Sequence, residues 1–549
     1  MKKYRNFIAV VFSFSYTIII AAFSTQAQTP EYVGPRSNIG DDPANGIYVS
    51  PNGNDSNATG SIDKPFKSIN KALTKAESGA TIIICGGTYR EERSVRVRKP
   101  NITIKSRKGE WAIIDMVYNP QYEWDSGVIF DYDASGGKLQ SVEVRGGFYA
   151  VSIETTFRWD PTNPFTYGAS DITIEDCKLH HSRYDVVKVK PNCNNVTIRY
   201  NEIHNSGQAF TPPFNGDDNA EGIDNVNGDN MTVHNNYIHD ICTNGIYAKG
   251  GATDVVIEKN RIERTYGAGI MVGFDTNLEW FDSIANPQYY ENIRGIVRNN
   301  LIIDSGWEGI GLYASKDAQV YNNTVVNAVC GISQYHSALY FGVSPQDYVV
   351  DLGHPANVNS NIHHNVVCEW SSSNRPMIEI RYSSDCGGIS ALSGMPNMSK
   401  NCYYIAGKNA VFNDQRPNNF LVNAVLTDWK LHINGDNGSI EVNPELNADY
   451  LTTNPQCEGM GIQFPLIVNN NTDINTPVKT PEVFVNIING NLIVESPFAE
   501  TIQLYSITGA LLSSTQKIEG KMSYFIHQPK GTLIIVKGSS GWAKKLIVK

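Results

Sequence analysis

One short pattern recurs down the middle of this 549-residue chain and limits what it can fold into. The segments ITIEDCKLH, VTIRYNEIH, MTVHNNYIH, VVIEKNRIE, GIVRNNLII and QVYNNTVVN share alternating apolar positions, one small polar residue and a further apolar pair. The polar position holds Cys177, Asn201, Asn236, Asn260, Asn300 and Asn323, and Asn365 in NIHHNVVCE continues the series. The intervals are 24, 35, 24, 40, 23 and 42 residues, so one length recurs and the others are that length plus an insertion. One coil of a solenoid per repeat explains this spacing, because each unit buries its apolar face only against its neighbours. Short strands and turns, with no helical period between them, make it a β-solenoid.

An amide recurring at one turn position predicts a stacked ladder in which each Asn satisfies the coils above and below. Such ladders are familiar from right-handed parallel β-helices, and the expected fold is all-β: a right-handed parallel β-helix with a small C-terminal β-sandwich. A second apolar strand follows in each coil, starting at Asp185 (DVVKVK), Glu221 (EGIDNV), Asn244 (NGIYAK), Ala268 (AGIMVG), Glu308 (EGIGLY) and Cys330 (CGISQY). Strand alternation turns the third and fifth residues inward and the fourth and sixth outward. The outward residues are Lys188 and Lys190, Asp224 and Val226, Tyr247 and Lys249, Met271 and Gly273, then Gly311 and Tyr313. Strands stacked ~4.8 Å apart join them into one exposed wall.

Chemistry is expected on that wall. Stacking sets Asp185 and Glu221 at one position of neighbouring coils, with Asp224 beside them on the outward side. The insertion SGQAFTPPFNGDD brings Asp217 and Asp218 near. Five converging carboxylates repel and raise one another's pKa, and a hard cation with six to eight oxygen ligands resolves the conflict. Ca2+ is the expected ion; the alternative is that these acids pair with Lys188 and Lys190 or face water. Lys249, in NGIYAKGG, projects one coil beyond Glu221 with glycines leaving room around it, and is a candidate general base. Lys188 and Lys190 are rivals for that role, and Arg261 or Arg264 on the adjoining coil is a source of further positive charge. Trp307, Tyr313, Tyr335, Tyr266 and Trp280 are placed either to stack on sugar rings or to pack inserted loops. Glu154 and Arg158 stand near one end of the cleft.

The opening YVSPNGNDSNATGSIDKPFKSINKAL, with TIIICGGTY and NITIKS after it, resembles the start of many extracellular right-handed β-helix proteins, including pectate lyases. Pro65–Ala76 has a helical period and is expected to cap the open end of the stack, as an exposed parallel edge requires. The acidic region resembles the family nine polysaccharide lyases over about residues 45–340. The matching positions are Asp185, then Ala220-Glu221-Gly222-Ile223-Asp224, then Lys249-Gly250-Gly251. The resemblance implies an acidic polysaccharide substrate, Ca2+ held by Asp185, Glu221 and Asp224, and β-elimination with Lys249 as the base. Three positions depart from it: Ala220 replaces an acid, Glu221 replaces an Asp, and Lys249 comes about two residues late along its strand. Asp217 or Asp218 is then a substitute ligand. Two other functions remain open. A hydrolase would use paired carboxylates such as Asp217-Asp218, although the GHG turn and RIK motif of polygalacturonases are missing. A non-catalytic adhesin or glycan-binding solenoid would need neither.

The ends of the chain speak of export. Residues 1–27 read as a signal peptide, basic at Lys2, Lys3 and Arg5, apolar from Phe7 to Phe23, and small at the end. The β-helix domain is expected over 28–465 and an Asn, Thr and Pro-rich linker over 466–482. A small β unit over 483–549 resembles the C-terminal sorting domain of the type IX secretion system, through LYSITGALL, GTLIIVKG and KKLIVK. That resemblance implies type IX machinery as a partner and a secreted or outer-membrane surface location. No segment after residue 27 is long and apolar enough to span a bilayer, and a monomer is expected. A formal charge of −10 excludes a general nucleic-acid binder working through a basic surface. The nine cysteines lack CxxC pairs and read as small buried residues, with at least one free thiol. The eleven histidines show no metal spacing and read as structural.

Overall fold

The computed structural model describes residues 29–469 and 484–548, apart from positions 39, 117–119, 157–166, 209–218, 332–335, 345–354, 372–373, 385 and short turns after 488. The expected signal peptide, Asp217 and Asp218, Arg158, Tyr335 and positions 470–482 lie outside the described residues.

Each coil contributes three short strands, and successive coils stack them into three sheets of twelve strands each. The first sheet runs from Ile47–Val49 to Asn397–Ser399, the second from Gly87–Glu91 to Ile440–Glu441, and the third from Val95–Val97 to Phe412–Asp414. Leu421–Ala424 closes the third sheet as its antiparallel end strand, and the pairs within the three stacks are otherwise parallel. The fold is the expected right-handed parallel β-helix. One inward column of the first sheet reads Ile174, Ile198, Val233, Ile257, Val297, Val320 and Ile362 in continuous register. All seven are buried, each contributing about 2 kcal/mol of apolar transfer, and β-branched side chains fit the pleated stack.

The turn from the first to the second sheet is made by two residues. The leading one, at Asp176, Tyr200, Asn235, Lys259, Asn299, Asn322, His364 and Lys400, has φ between 51° and 57°. That left-handed step turns the chain and directs the next side chain into the stack. There the ladder forms. Asn236 Oδ1 accepts from the backbone N–H and side-chain amide of Asn201, both at 3.0 Å, and Asn236 Nδ2 donates to the Ile198 carbonyl at 2.9 Å. The pattern begins at Cys177, whose N–H meets Asn201 Oδ1 at 2.9 Å. It runs one coil beyond the recurring motif to Asn401, whose N–H donates to Ser439 Oγ at 2.8 Å. Asn260→Ala leaves the Asn236 N–H and the Val233 carbonyl without their ladder partner. Each such buried group costs roughly 1–3 kcal/mol, so denaturant unfolding is expected to show a loss of roughly 3–5 kcal/mol. A variant as stable as the parent would contradict the ladder.

Both ends of the stack are covered. The helix Ile69–Lys75 buries Ile69 and Ala72 against the first coil, capped by Ser68, which is itself held by Asp55 at 2.8 Å. The helical period therefore materialises over the later part of Pro65–Ala76. A second helix, Leu426–Ile433, stacks Trp429 on Phe412 at the other end. Two expectations need correction. CGISQY is not the strand that follows Ile310–Tyr313; Leu339–Gly342 is, because SALYFGV supplies the apolar alternation while Gly331 turns back to bond Gly306. The stretch read as a linker begins with a strand: Leu466–Val468 pairs in parallel with Glu31–Val33, and Val33 and Leu466 are buried in a shared apolar cluster. The C-terminal unit has a three-stranded and a four-stranded antiparallel sheet around Leu492, Val494, Ile502, Leu504, Ile534 and Val536. That is a small sandwich. No helix among the described residues is long and apolar enough to cross a membrane.

On the outer face of the second sheet, His180, His204 and His239 stack with ring centroids 4.5 and 4.8 Å apart. Nitrogens of His180, His181 and His204 come within 4.8 Å of one another. The 13° and 7° angles between stacked rings send the His180, His204 and His239 lone pairs along near-parallel planes, not to one point. Burial, and then His180, push His204 down to about 4. The unfolded chain, with a His near 6.5, takes up that proton first, so stability is lost as pH falls from about 6.5 toward 4. His204→Asn is expected to remove on the order of 2 kcal/mol of this acid sensitivity. Thermal melts at pH 7 and pH 5 check it; an unchanged pH slope would contradict it.

Candidate functional site

The third sheet sets the register of the wall. Val187 pairs with Ile223 and Ile223 with Ile246, so Lys188 lies beside Asp224, Asp224 beside Tyr247, and Val226 beside Lys249. Asp185 and Glu221 occupy one position of neighbouring coils just before these strands, and Asp185 Oδ1 accepts the Glu221 backbone N–H at 3.0 Å. Carboxylate oxygens of Asp185, Glu221 and Asp224 lie within 4.8 Å of one another, and all three residues are buried. Asp185 Oδ2, Glu221 Oε2 and Asp224 Oδ1 make no hydrogen bond. Lys188 enters the cluster, hydrogen-bonded to Asp224, with its Nζ 3.2 Å from Asp185 Oδ2.

Three buried carboxylates and one ammonium carry a formal charge of −2, a heavy cost in a dry site. Burial, then Asp185 and Asp224, push the Glu221 carboxyl well above its ordinary value. Burial lowers Lys188, but Asp185 and Asp224 override it and hold the amine well above its ordinary value. Lys188 is therefore a fixed ammonium. The donor set fits a hard divalent cation: it is all oxygen, two charges short of neutral, and three of its oxygens lack hydrogen bonds.

Lys249 ends the strand Ile246–Lys249, with Nζ 4.0 Å from the Tyr247 ring centroid. Tyr247 faces outward yet is buried, because its hydroxyl accepts the Asp275 N–H at 2.9 Å and pins the loop laid over it. The chain turns sharply after Lys249, at Gly250 and Gly251, with φ of 72° and 93°. The Gly250 N–H donates to Glu291 Oε2 at 3.0 Å. Glu291 is buried, also accepts from Thr276 at 2.7 Å and Ser344 at 3.1 Å, and burial pushes it up to about 7. The end of the lysine strand is thus tied to two loops. Lys249 borders two clefts. One, of about 480 Å³, is also lined by Glu154, Lys190 and Trp280. The other, of about 370 Å³, is lined by Glu221, Tyr266 and Trp307.

Asp185, Glu221, Asp224, Lys188 and Lys249 are brought together as the sequence suggested. Lys190 pairs instead with Glu154 at 2.7 Å. Arg264 is not brought to this wall: it belongs to the second sheet, where Asp240 holds its Nε at 2.7 Å and Glu263 its Nη1 at 2.6 Å. Arg261 is paired with Glu263 in the same way. Tyr313 is buried on the outer wall against Phe274 and Tyr340, donating to Glu308 at 2.6 Å, whereas Tyr266 is exposed and Trp307 stacks on His336 at 5.0 Å. Asn244, which donates to Glu221 Oε1 at 3.2 Å, and Glu291 were not singled out by the repeat. Asn244 shares the coil position of Glu221, so the same alignment held it. Glu291 follows an insertion that has no periodicity, and no sequence signal marked it.

The fold and this wall define the class, a right-handed β-helix with a buried acidic cluster and a lysine at an open cleft. The family described as right handed beta helix region matches residues 165–341. A family described as a protein of unknown function matches residues 51–97. Over 119 residues the chain is 32% identical to pectate lyase PEL9 of Emericella nidulans, covering 19% of this chain and 29% of that protein. Over 83 residues it is 40% identical to the uncharacterised protein YwoF of Bacillus subtilis, covering 14% of this chain and 17% of that protein. The chain thus matches less than a third of the length of these curated relatives. The crystal structure of pectate lyase Pel9A superposes with a TM-score of 0.39 at 16% identity, covering 59% of this chain and 79% of that one.

Proposed function

We propose that this chain is an exported polysaccharide lyase that cleaves a uronate-containing, pectic-type polymer by β-elimination. Asp185, Glu221 and Asp224 would hold Ca2+, and Lys249 is the base. The observation that supports this most is the buried triad in which Glu221 Oε2 and Asp224 Oδ1 have neither a hydrogen bond nor an ion pair among the described residues, set beside a cleft that Lys249 shares with Glu221. When bound, Ca2+ supplies Lewis acidity toward the substrate carboxylate and so acidifies the C5 proton. Lys249 Nζ borders the cleft and, acting as the free amine, takes that proton to become an ammonium; the electron pair left on carbon forms the C4–C5 double bond, the C4–O bond breaks, and the departing sugar oxygen takes a proton from water. Lys188 is held by two carboxylates as an ammonium, so its part is to balance the acids. Glu291 fixes the strand end that carries Lys249, and Tyr266, Trp280 and Trp307 offer ring faces in the two clefts. The basic-apolar segment 1–27 and the C-terminal sandwich fit export through type IX machinery to the medium or cell surface. The test is incubation with a panel of uronate polymers while following ultraviolet absorbance and reducing ends. Absorbance rising with reducing ends is expected. Reducing ends without absorbance would mean hydrolysis, and neither signal would leave a binding solenoid.

A further inference from the structure

A third cleft opens on the same wall near the N-terminal end, about 400 Å³ in volume. The capping helix, through Leu73 and Thr74, forms one side; Arg93, Arg96, Arg98 and Lys99 form the other. Four cations within seven residues stand out in a chain with 55 acids against 45 basic residues. Their acidic partners are too few to neutralise them. Asp125 binds Arg93 at 2.7 Å, and Asp131 is shared between Arg96 at 2.9 Å and Arg98 at 3.6 Å. Lys99 donates to the Ala76 carbonyl at 2.7 Å and lies 3.4 Å from the exposed Glu77. One carboxylate cannot cancel two guanidiniums, and the Arg98 side chain is 68% exposed. The Arg93 guanidinium is 3.7 Å from the Tyr122 ring centroid, which holds it in place without consuming its charge.

The cleft lies in register with the proposed catalytic site. Val97 connects through Phe130, Ile153, Val189 and Asn225 to Ala248, so Arg98 and Lys249 follow equivalent positions five strands apart. At ~4.8 Å per strand the separation is about 24 Å. A polymer lying along the wall from Lys249 reaches the arginines while still following one sheet. Guanidinium groups match carboxylates in a planar, bidentate way. We infer that the Arg93–Lys99 cleft is a distal anchor for the uronate carboxylates of a long anionic polysaccharide, a reading that rests on the proposed uronate substrate. It gives an acidic protein a local means of holding an acidic chain away from its reacting end.

The test uses the full chain, with polygalacturonate as the polymer, trigalacturonate as the short substrate and dextran as the neutral control. Affinity for polygalacturonate is measured in the Lys249→Ala background, which removes turnover, and rates are measured with Lys249 present. Arg96→Gln combined with Arg98→Gln is expected to weaken polygalacturonate binding at least tenfold. Trigalacturonate turnover and the melting temperature stay unchanged, and dextran is not bound. The exposed Arg98→Gln alone, which does not disturb the shorter Arg96–Asp131 pair, is expected to show a smaller loss in the same direction. Undiminished polymer affinity in folded variants would overturn the anchor, as would equal displacement by double-stranded DNA, which would mark a general polyanion patch. Arginine-dependent binding without turnover by the parent would support the anchor and refute the lyase. Turnover with arginine-independent affinity would do the reverse.

Discussion

Lys249→Ala is expected to lower the release of unsaturated uronate by about 10³-fold, within the range carried by a positioned general base. The loss should fall on kcat, because the acidic triad and the cleft walls stay in place. The Lys249 side chain is half-buried at a strand end and makes no hydrogen bond or ion pair among the described residues, and the backbone bond that its carbonyl accepts from the Asn227 N–H survives truncation, so no buried group is left unsatisfied. The melting temperature and Ca2+ affinity should therefore match the parent. Lys188→Ala should behave differently. It removes an ammonium held between Asp185 and Asp224, and losing one member of such a buried group costs about 3–5 kcal/mol. If Lys249→Ala keeps full activity while Lys188→Ala keeps the fold and loses the rate, the two lysines have been assigned the wrong way round.

Asp224→Asn should reduce Ca2+ affinity by about 100-fold, equivalent to about 2.7 kcal/mol. The argument is electrostatic. Asp224 is fully buried, pairs with Lys188, and retains Oδ1 without a hydrogen bond. Its neutral isostere takes the cluster from a formal −2 to −1 and removes the balance a divalent ion requires. The same change relieves repulsion among the acids. Without calcium the variant should be as stable as the parent or more so, while the calcium-induced rise in melting temperature should vanish. Calorimetric titration and melts with and without Ca2+ read both effects. Parent and variant binding Ca2+ equally would remove Asp224 from the ligand set. An Asp224→Asn protein that melts earlier in chelator would show that the acids serve the Lys188 pairing more than a cation.

The repeat carried most of the fold. Seven polar positions from Cys177 to Asn365 were enough to set the coil, the ladder and the outward wall, because a parallel stack fixes each residue by the one below it. The same register placed Lys188 beside Asp224 and Tyr247 between Asp224 and Met271. It failed where insertions broke the spacing. After Asn323 the repeat points to a strand at Cys330, whereas the strand lies at Leu339, since local alternation carries no signal of how long a loop has grown. Arg264 was close to the wall along the chain but not in space, because its left-handed φ of 53° and the Asp240 and Glu263 carboxylates direct it onto another sheet. Glu291 reaches Gly250 across 41 residues of sequence. No local pattern encodes a contact of that kind.

Calcium dependence of elimination is the most direct measurement of the central claim. The rate of absorbance increase on polygalacturonate would be followed against free Ca2+, then after chelation and re-addition. The expected result is a saturable rise that falls to background in chelator and returns with Ca2+. A rate unaffected by chelator, or new reducing ends without absorbance, would contradict calcium-assisted elimination at Asp185, Glu221 and Asp224.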